Sequence, residues 1–171
     1  PGGREMANMY PCEPVDVAFI DSARFRFSNT VDIPASPEQL FELFEEADAW
    51  PRWAKVITKV VWTSEPPYGP GTTRTVHMLG GLRGDEVFLA WEPGRHMAFR
   101  FTACSTPFVT AFAESYDVVR TTGGCRLTWT VALRGKGPTT VSLAVLRPVL
   151  NVGFRRFLRD LSALASERYA V

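Results

Sequence analysis

The stretch Val31-Asp32-Ile33-Pro34-Ala35-Ser36-Pro37-Glu38-Gln39-Leu40-Phe41 changes its hydrophobic period in the middle, and the fold is decided there. On its N-terminal side Phe25, Phe27, Val31 and Ile33 alternate with Arg24, Arg26, Ser28, Thr30 and Asp32. That is the period of two of a half-buried strand, beginning near Ala23. On its C-terminal side Ser36 takes the N-cap, Pro37 the first helical position and Gln39 the third, which together make a capping box. Leu40, Phe41, Leu43 and Phe44 then follow at helical spacing, and Asp48-Ala49-Trp50-Pro51-Arg52-Trp53 opens a second short helix with Pro51 in its first turn. A strand followed by two short helices is predicted.

Downstream, β-branched and apolar runs recur at about 57–64, 72–79, 85–91, 95–103, 108–119 and 125–134. They are separated by turn formers: Pro66-Pro67-Tyr68-Gly69-Pro70-Gly71, Gly80-Gly81, Glu92-Pro93-Gly94, the stretch around Ser105-Thr106-Pro107, and Thr121-Thr122-Gly123-Gly124. No helical stretch lies between these runs, so parallel crossovers are excluded and the sheet is an antiparallel meander. From about Thr139 to Arg168, Leu143, Leu146, Leu150, Phe154, Phe157, Leu158, Leu161 and Leu164 gather near one side at helical spacing. This last helix is long enough to cross the sheet, and Pro148 inside it removes one backbone hydrogen bond. The reading is an α+β domain with seven strands and a long C-terminal helix, spanning 23–171. Residues 1–22 form an N-terminal arm, either laid against the domain or disordered. Its first five residues precede Met6, the first plausible start, and carry no functional weight here.

Composition narrows the function. Lys and Arg number 19 against 18 Asp and Glu, a formal charge of +1 that offers no basic field for nucleic acid. Five Trp, twelve Phe and four Tyr in a chain that is 46% hydrophobic point to a large enclosed aromatic interior. Cys12, Cys104 and Cys125 are odd in number and lack CxxC spacing, against a disulfide framework or a thiolate zinc site. With no membrane-spanning run and no secretion-signal pattern, a cytoplasmic location without stable membrane insertion is expected. There is no HExxH, no GxxxxGK[ST] and no GxSxG, and the two histidines, His77 and His96, fall on the solvent parity of their strands. No metal and no cofactor are implied. Ser115 and Ser142 have only those two histidines to complete a triad, so nucleophilic catalysis has little support.

At this point the chain resembles the START-like (SRPBCC) superfamily of polyketide cyclase/dehydrase-type proteins, related to the birch pollen allergen. The resemblance covers roughly residues 23–169. It rests on the strand order, on the Val31 to Phe41 stretch, on Asp48-Ala49-Trp50-Pro51-Arg52-Trp53, and on Gly124-Cys125-Arg126-Leu127-Thr128-Trp129-Thr130. It implies a helix-grip fold: a curved antiparallel sheet holding the C-terminal helix around a cavity for a small hydrophobic ligand. Within the superfamily lie carriers of lipids, polyketides or isoprenoids, polyketide aromatase/cyclases and dehydratases, and chaperone-associated interaction modules.

A strongly curved sheet cannot contact one helix over its whole concave wall, so a void is left for side chains or for ligand. Alternation turns Trp62, Val76, Met78, Phe88, Phe99 and Phe101 into that space, with Phe112, Tyr116 and Trp129 from the later strands. Leu146, Leu150 and Phe154 face it from the helix, and Trp50 and Trp53, three apart on the second short helix, share a face that walls it. The same large residues would also serve to close an ordinary core. Parity further places Arg74, Glu86 and Glu114 inward. A buried ion must be paired, hydrated or neutralised, so these three and Tyr116 are the candidate ligand-fixing or acid/base groups. Arg155, Arg156 and Arg159 read as the solvated face of the helix.

Overall fold

The computed structural model describes residues 8–170, and the Pro1–Glu5 segment set aside above lies outside them. The capping box forms as the sequence dictates: Gln39 N–H donates to Ser36 Oγ at 3.1 Å, and Ser36 N–H to Gln39 Oε1 at 2.9 Å. The elements are β1 (Tyr10–Pro11), α1 (Val17–Ser22), β2 (Phe25–Ile33), α2 (Pro37–Glu45), α3 (Trp50–Trp53), β3 (Ile57–Trp62), β4 (Thr73–Met78), β5 (Arg83–Glu92), β6 (His96–Cys104), β7 (Val109–Thr121), β8 (Gly124–Gly135) and α4 (Pro138–Tyr169). A 3-10 turn over Ala47–Ala49 leads into α3.

The sheet runs β2-β8-β7-β6-β5-β4-β3, with every neighbouring pair antiparallel. This is the helix-grip architecture. Gly124, at φ 148°, makes the tight β7–β8 turn; a Cβ there would meet Ile33 O at 2.2 Å, so β2 and β8 pinch together only around a glycine. Helix α4 runs alongside β2. Arg147 donates to Arg26 O, Arg155 to Asn29 Oδ1 and Ser162 to Asp32 O, which fixes its direction from the Phe25 end of the sheet to the Ile33 end. Leu158, Leu161, Leu164 and Ala165 are buried on the core side. The first turns, Pro138 to Leu146, reach past the end of β2 and meet the sheet around Gly135.

The arm is ordered. The β6–β7 ladder holds from His96 to Arg100 and then the strands splay, so that β1 pairs with the free length of β6, Tyr10 opposite Cys104. Cys12 N–H reaches Thr102 O and Glu13 N–H reaches Thr110 O, at 2.9 and 2.8 Å, bridging the gap. Residues 17–22 then form α1, a helix that the residue pattern of the arm does not mark. Six residues are too short for periodicity to show; Phe19 and Ile20 are buried in a shallow bed of Ala98, Ala111, Ala113 and Ala132 on the convex face.

Candidate functional site

Strand β4 sets Arg74 directly opposite Glu86 on β5, and Arg74 Nε donates to Glu86 Oε2 at 2.5 Å. The two side chains are 1% and 3% exposed, so this is an ion pair withdrawn from water. The guanidinium lies 4.1 Å from the ring centre of Trp50, 4.7 Å from Phe99, 5.2 Å from Phe88 and 5.4 Å from Trp62, an aromatic box that offsets part of the cost of burying the charge. Glu114, on β7, is also buried. Its Oε1 accepts the Trp129 indole N–H at 2.6 Å and the Tyr116 hydroxyl at 3.4 Å.

Burial and the nearby Glu86 raise the Glu114 carboxyl to about 8, against a smaller pull from Trp129, Arg74 and Tyr116. At neutral pH it is therefore largely protonated, and its acidic hydrogen is available as a donor. Glu86 is raised by burial, opposed by Arg74. Tyr116 is pushed well above its ordinary value by burial and by Glu114, so it remains a phenol.

These groups border a cavity of about 150 Å³ between the sheet, α3 and α4. Arg74, Val76, Met78, Phe101, Phe112, Tyr116 and Trp129 line it from the sheet, Trp50 and Trp53 from α3, and Phe154 from α4. Glu86 and Glu114 reach its wall as well. Gly84 permits the position of Phe101, whose ring lies where a Cβ at Gly84 would come within 2.6 Å. Two buried donors among the described residues have no partner in the protein: Arg74 Nη1 and Trp53 Nε1. Both belong to residues of this cavity.

Other expected wall residues lie elsewhere. Phe88 and Phe99 are buried beneath the Arg74 guanidinium, which takes the space they would otherwise line. Trp62 stacks on Tyr68 at 4.1 Å and donates its indole N–H to Glu45 O, outside the cavity at the β3 edge. Leu150 packs into the core without reaching the cavity, and Leu146 is 47% exposed because the helix has passed the end of the sheet there. Conversely, Val56 and Ile57 line the cavity, together with Ala54 and Phe157. The α3–β3 connection carries no period from which Val56 would be found, Ile57 is turned inward by the register shift before Lys59, and Phe157 shares the helical stripe of Phe154. His96 sits at the β6 start, its Nδ1 2.8 Å from Asp117, and among the described residues no cluster suits a metal ion.

A curved sheet gripping one long helix over an apolar cavity with a few inward polar groups defines the START-like class of cavity proteins. Within it, residues 24–166 match the family of polyketide cyclase/dehydrase and lipid transport proteins, and the chain belongs to that family. Uncharacterized proteins of Mycobacterium bovis and Mycobacterium tuberculosis are 56% identical over 162 residues, covering 95% of this chain and 97% of theirs. Among solved structures, the di-domain aromatase/cyclase from the steffimycin biosynthetic pathway superposes with a TM-score of 0.65 at 17% identity, over 86% of this chain and 52% of that one. The chain thus spans about half the length of that protein. The Zhui aromatase/cyclase from Streptomyces sp. R1128 gives 0.63 at 17% identity, over 84% of this chain and 94% of that one. At such identities the likeness is one of fold.

Proposed function

We propose that the protein binds a small, mainly apolar molecule that ends in an oxygen acceptor, a carbonyl or a carboxylate, inside this cavity. The observation that carries the reading is the pair of unpartnered buried donors, Arg74 Nη1 and Trp53 Nε1, on two residues that line an otherwise largely apolar wall. A buried donor left unpaired costs about 1–3 kcal/mol, so a ligand that brings an acceptor regains what the empty site forgoes. The protonated Glu114 adds a third donor. The volume limits the enclosed part of the ligand to about one aromatic ring, since a cavity of about this size holds benzene. A longer lipid, polyketide or isoprenoid would leave by the mouth at Val56, Met78 and Phe157. Ligand-free protein titrated with a fatty acid or an environment-sensitive apolar dye should bind close to one per chain and change the fluorescence of Trp53 and Trp129. Lack of saturable binding would overturn the proposal. Native mass spectrometry of protein from its own host would identify the ligand class.

A second reading, cyclisation or dehydration of a β-ketone chain, is favoured by one observation: Glu114 keeps its proton near neutrality beside a cation that polarises a carbonyl. In it Arg74 binds the carbonyl oxygen and Glu114 supplies the proton. Glu114→Gln should then retain binding and abolish turnover; unchanged turnover removes Glu114 from that role.

A further inference from the structure

Helix α4 turns one face to the outside along its whole length, and the chemistry of that face changes halfway. Val141, Val145, Val149 and Val152 fall on it at spacings of four, four and three residues, and they are 66, 71, 68 and 62% exposed. Arg156 and Arg159 continue the same stripe, exposed and without an acidic partner among the described residues. β-Branched valine loses side-chain freedom in a helix and gains nothing there from water. Four of them on a solvated face therefore oppose helix stability, and folding of the isolated chain supplies no reason for them. Charge is equally one-sided, because no Asp or Glu stands between Asp117 and Asp160.

The overhanging start of α4 also lies at the open end of the grip. Lys136 N–H donates to Phe108 O, tying the entry to the helix to the β6–β7 turn, where Phe108 is 48% exposed. At the same end of the sheet Leu79 and Leu82, 59 and 43% exposed, flank the β4–β5 turn, and Leu79 N–H donates to Val56 O at the cavity mouth. Leu79, Leu82, Phe108 and the first valines of α4 thus share one end of the sheet, while Val17, Val61 and Val119 are exposed elsewhere.

We propose that this face, the valine stripe of α4 with the apolar turns beside it, docks on the surface of an anionic lipid bilayer. The valines enter the acyl boundary while Arg156 and Arg159, further along the same stripe, meet the lipid phosphates. A second copy of the chain fits less well. The valine half of the helix carries no acid, so a copy packed antiparallel through this face would set Arg156 and Arg159 against a segment with no carboxylate to meet them. Docking here requires nothing of the cavity and stands apart from the ligand proposal. The helix lies in the interface and does not cross it, in keeping with the finding that no helix among the described residues is long and apolar enough to span a bilayer.

The test is cosedimentation with phosphatidylcholine vesicles, with and without phosphatidylglycerol. The intact chain should sediment with the anionic vesicles, much less with the neutral ones, and be partly released by high salt. V145D/V149D should abolish binding. R156E/R159E should weaken it by more than about twenty-fold, from a five-fold loss for each basic residue removed at such a surface. Both variants alter exposed positions, and circular dichroism with thermal melting should report an unchanged fold. Absence of binding by the intact protein would overturn the proposal, as would binding that both variants retain. So would light scattering showing a dimer that V145D/V149D splits into monomers, which would assign the face to a second copy.

Discussion

Trp129 donates its indole N–H to Glu114 Oε1 at 2.6 Å, and both side chains are buried between β7 and β8. The bond pulls the carboxyl toward ionisation, but burial and the Glu86 charge prevail and lift it from 4.5 to about 8. This imbalance sets how Glu114 responds to pH.

An unfolded Glu114 ionises as pH rises through about 4.5, while the folded one holds its proton to about 8, so unfolding releases a proton across that window. Its contribution to stability is therefore greatest below about 4.5, declines as pH rises to about 8, and is constant beyond. Glu114→Gln keeps the shape and removes the ionisation. Urea midpoints should show the variant gaining on the wild type between weakly acidic and weakly alkaline pH. Parallel curves for the two proteins would contradict the assignment.

Arg74 and Glu86 must be altered together, because a carboxylate left buried without its cation costs about 3–5 kcal/mol. In R74M/E86Q, ligands ending in a carboxylate or carbonyl should bind more weakly by about 1.5–3 kcal/mol, and pure hydrocarbons should bind nearly as before. Titration calorimetry with a matched acid and alkane separates the two. An equal loss for both would show that the cation fixes the walls rather than the ligand.

Leu161 is fully buried under α4, so Leu161→Ala should cost about 2–5 kcal/mol. Phe154 is only half-buried, touching Phe27 and Trp129 edge-on at 5.2 and 5.3 Å, and its loss should cost less than the about 3–5 kcal/mol of a fully enclosed ring. Phe154→Ala should also widen the cavity. Chemical denaturation and ligand titration of the two variants check both halves of this statement.

Gly84→Ala brings a methyl within 2.6 Å of the Phe101 ring, which must then swing toward the cavity or push β5 aside. Overpacking of this kind costs about 1–3 kcal/mol. A lower melting temperature with weaker binding of ring-sized ligands is expected; unaltered binding would place the cavity elsewhere than against Phe101.

Strand order, both short helices and the long helix were legible because each rests on local signals: alternation, the Ser36 to Gln39 box, turn clusters, the leucine stripe. Parity also placed Arg74, Glu86 and Glu114 on the inner side. What was not legible depends on where elements end relative to one another. Leu146 has the spacing of a core residue but lies beyond the sheet, and Phe88 and Phe99 have inward parity but are covered by a guanidinium that no pattern could place above them. Val56 enters the site from a connection, where periodicity carries no information, and Ile57, the first residue of β3, is turned inward by a register shift before Lys59 that alternation cannot foresee. The arm was undecidable because its ordering derives from a splay between β6 and β7 that appears only in three dimensions.

That splay carries the last prediction. Beyond Arg100 the β6 and β7 strands separate, and the peptide groups they would have paired are met instead by Tyr10 to Glu13 of the arm. Cys12 fills the gap behind Phe101, its Sγ 3.8 Å from that of Cys104, and burial raises the Cys12 thiol to about 12, so the residue acts as apolar filling and not as a reactive thiolate. Phe101 stacks on Phe112 across the splay at 4.3 Å, and both line the cavity, so the arm supports the cavity wall from behind. Deleting residues 1–13 removes this filling but leaves α1 on its alanine bed. Hydrogen exchange measured by mass spectrometry should then quicken over Phe101 to Phe112 and stay unchanged where β6 and β7 pair directly, from Met97 to Arg100. Ligand affinity should fall in step, because the Phe101–Phe112 pair loses its backing. If exchange over Phe101 to Phe112 matches that of the full chain, the arm is a passenger on the sheet and the wall stands without it.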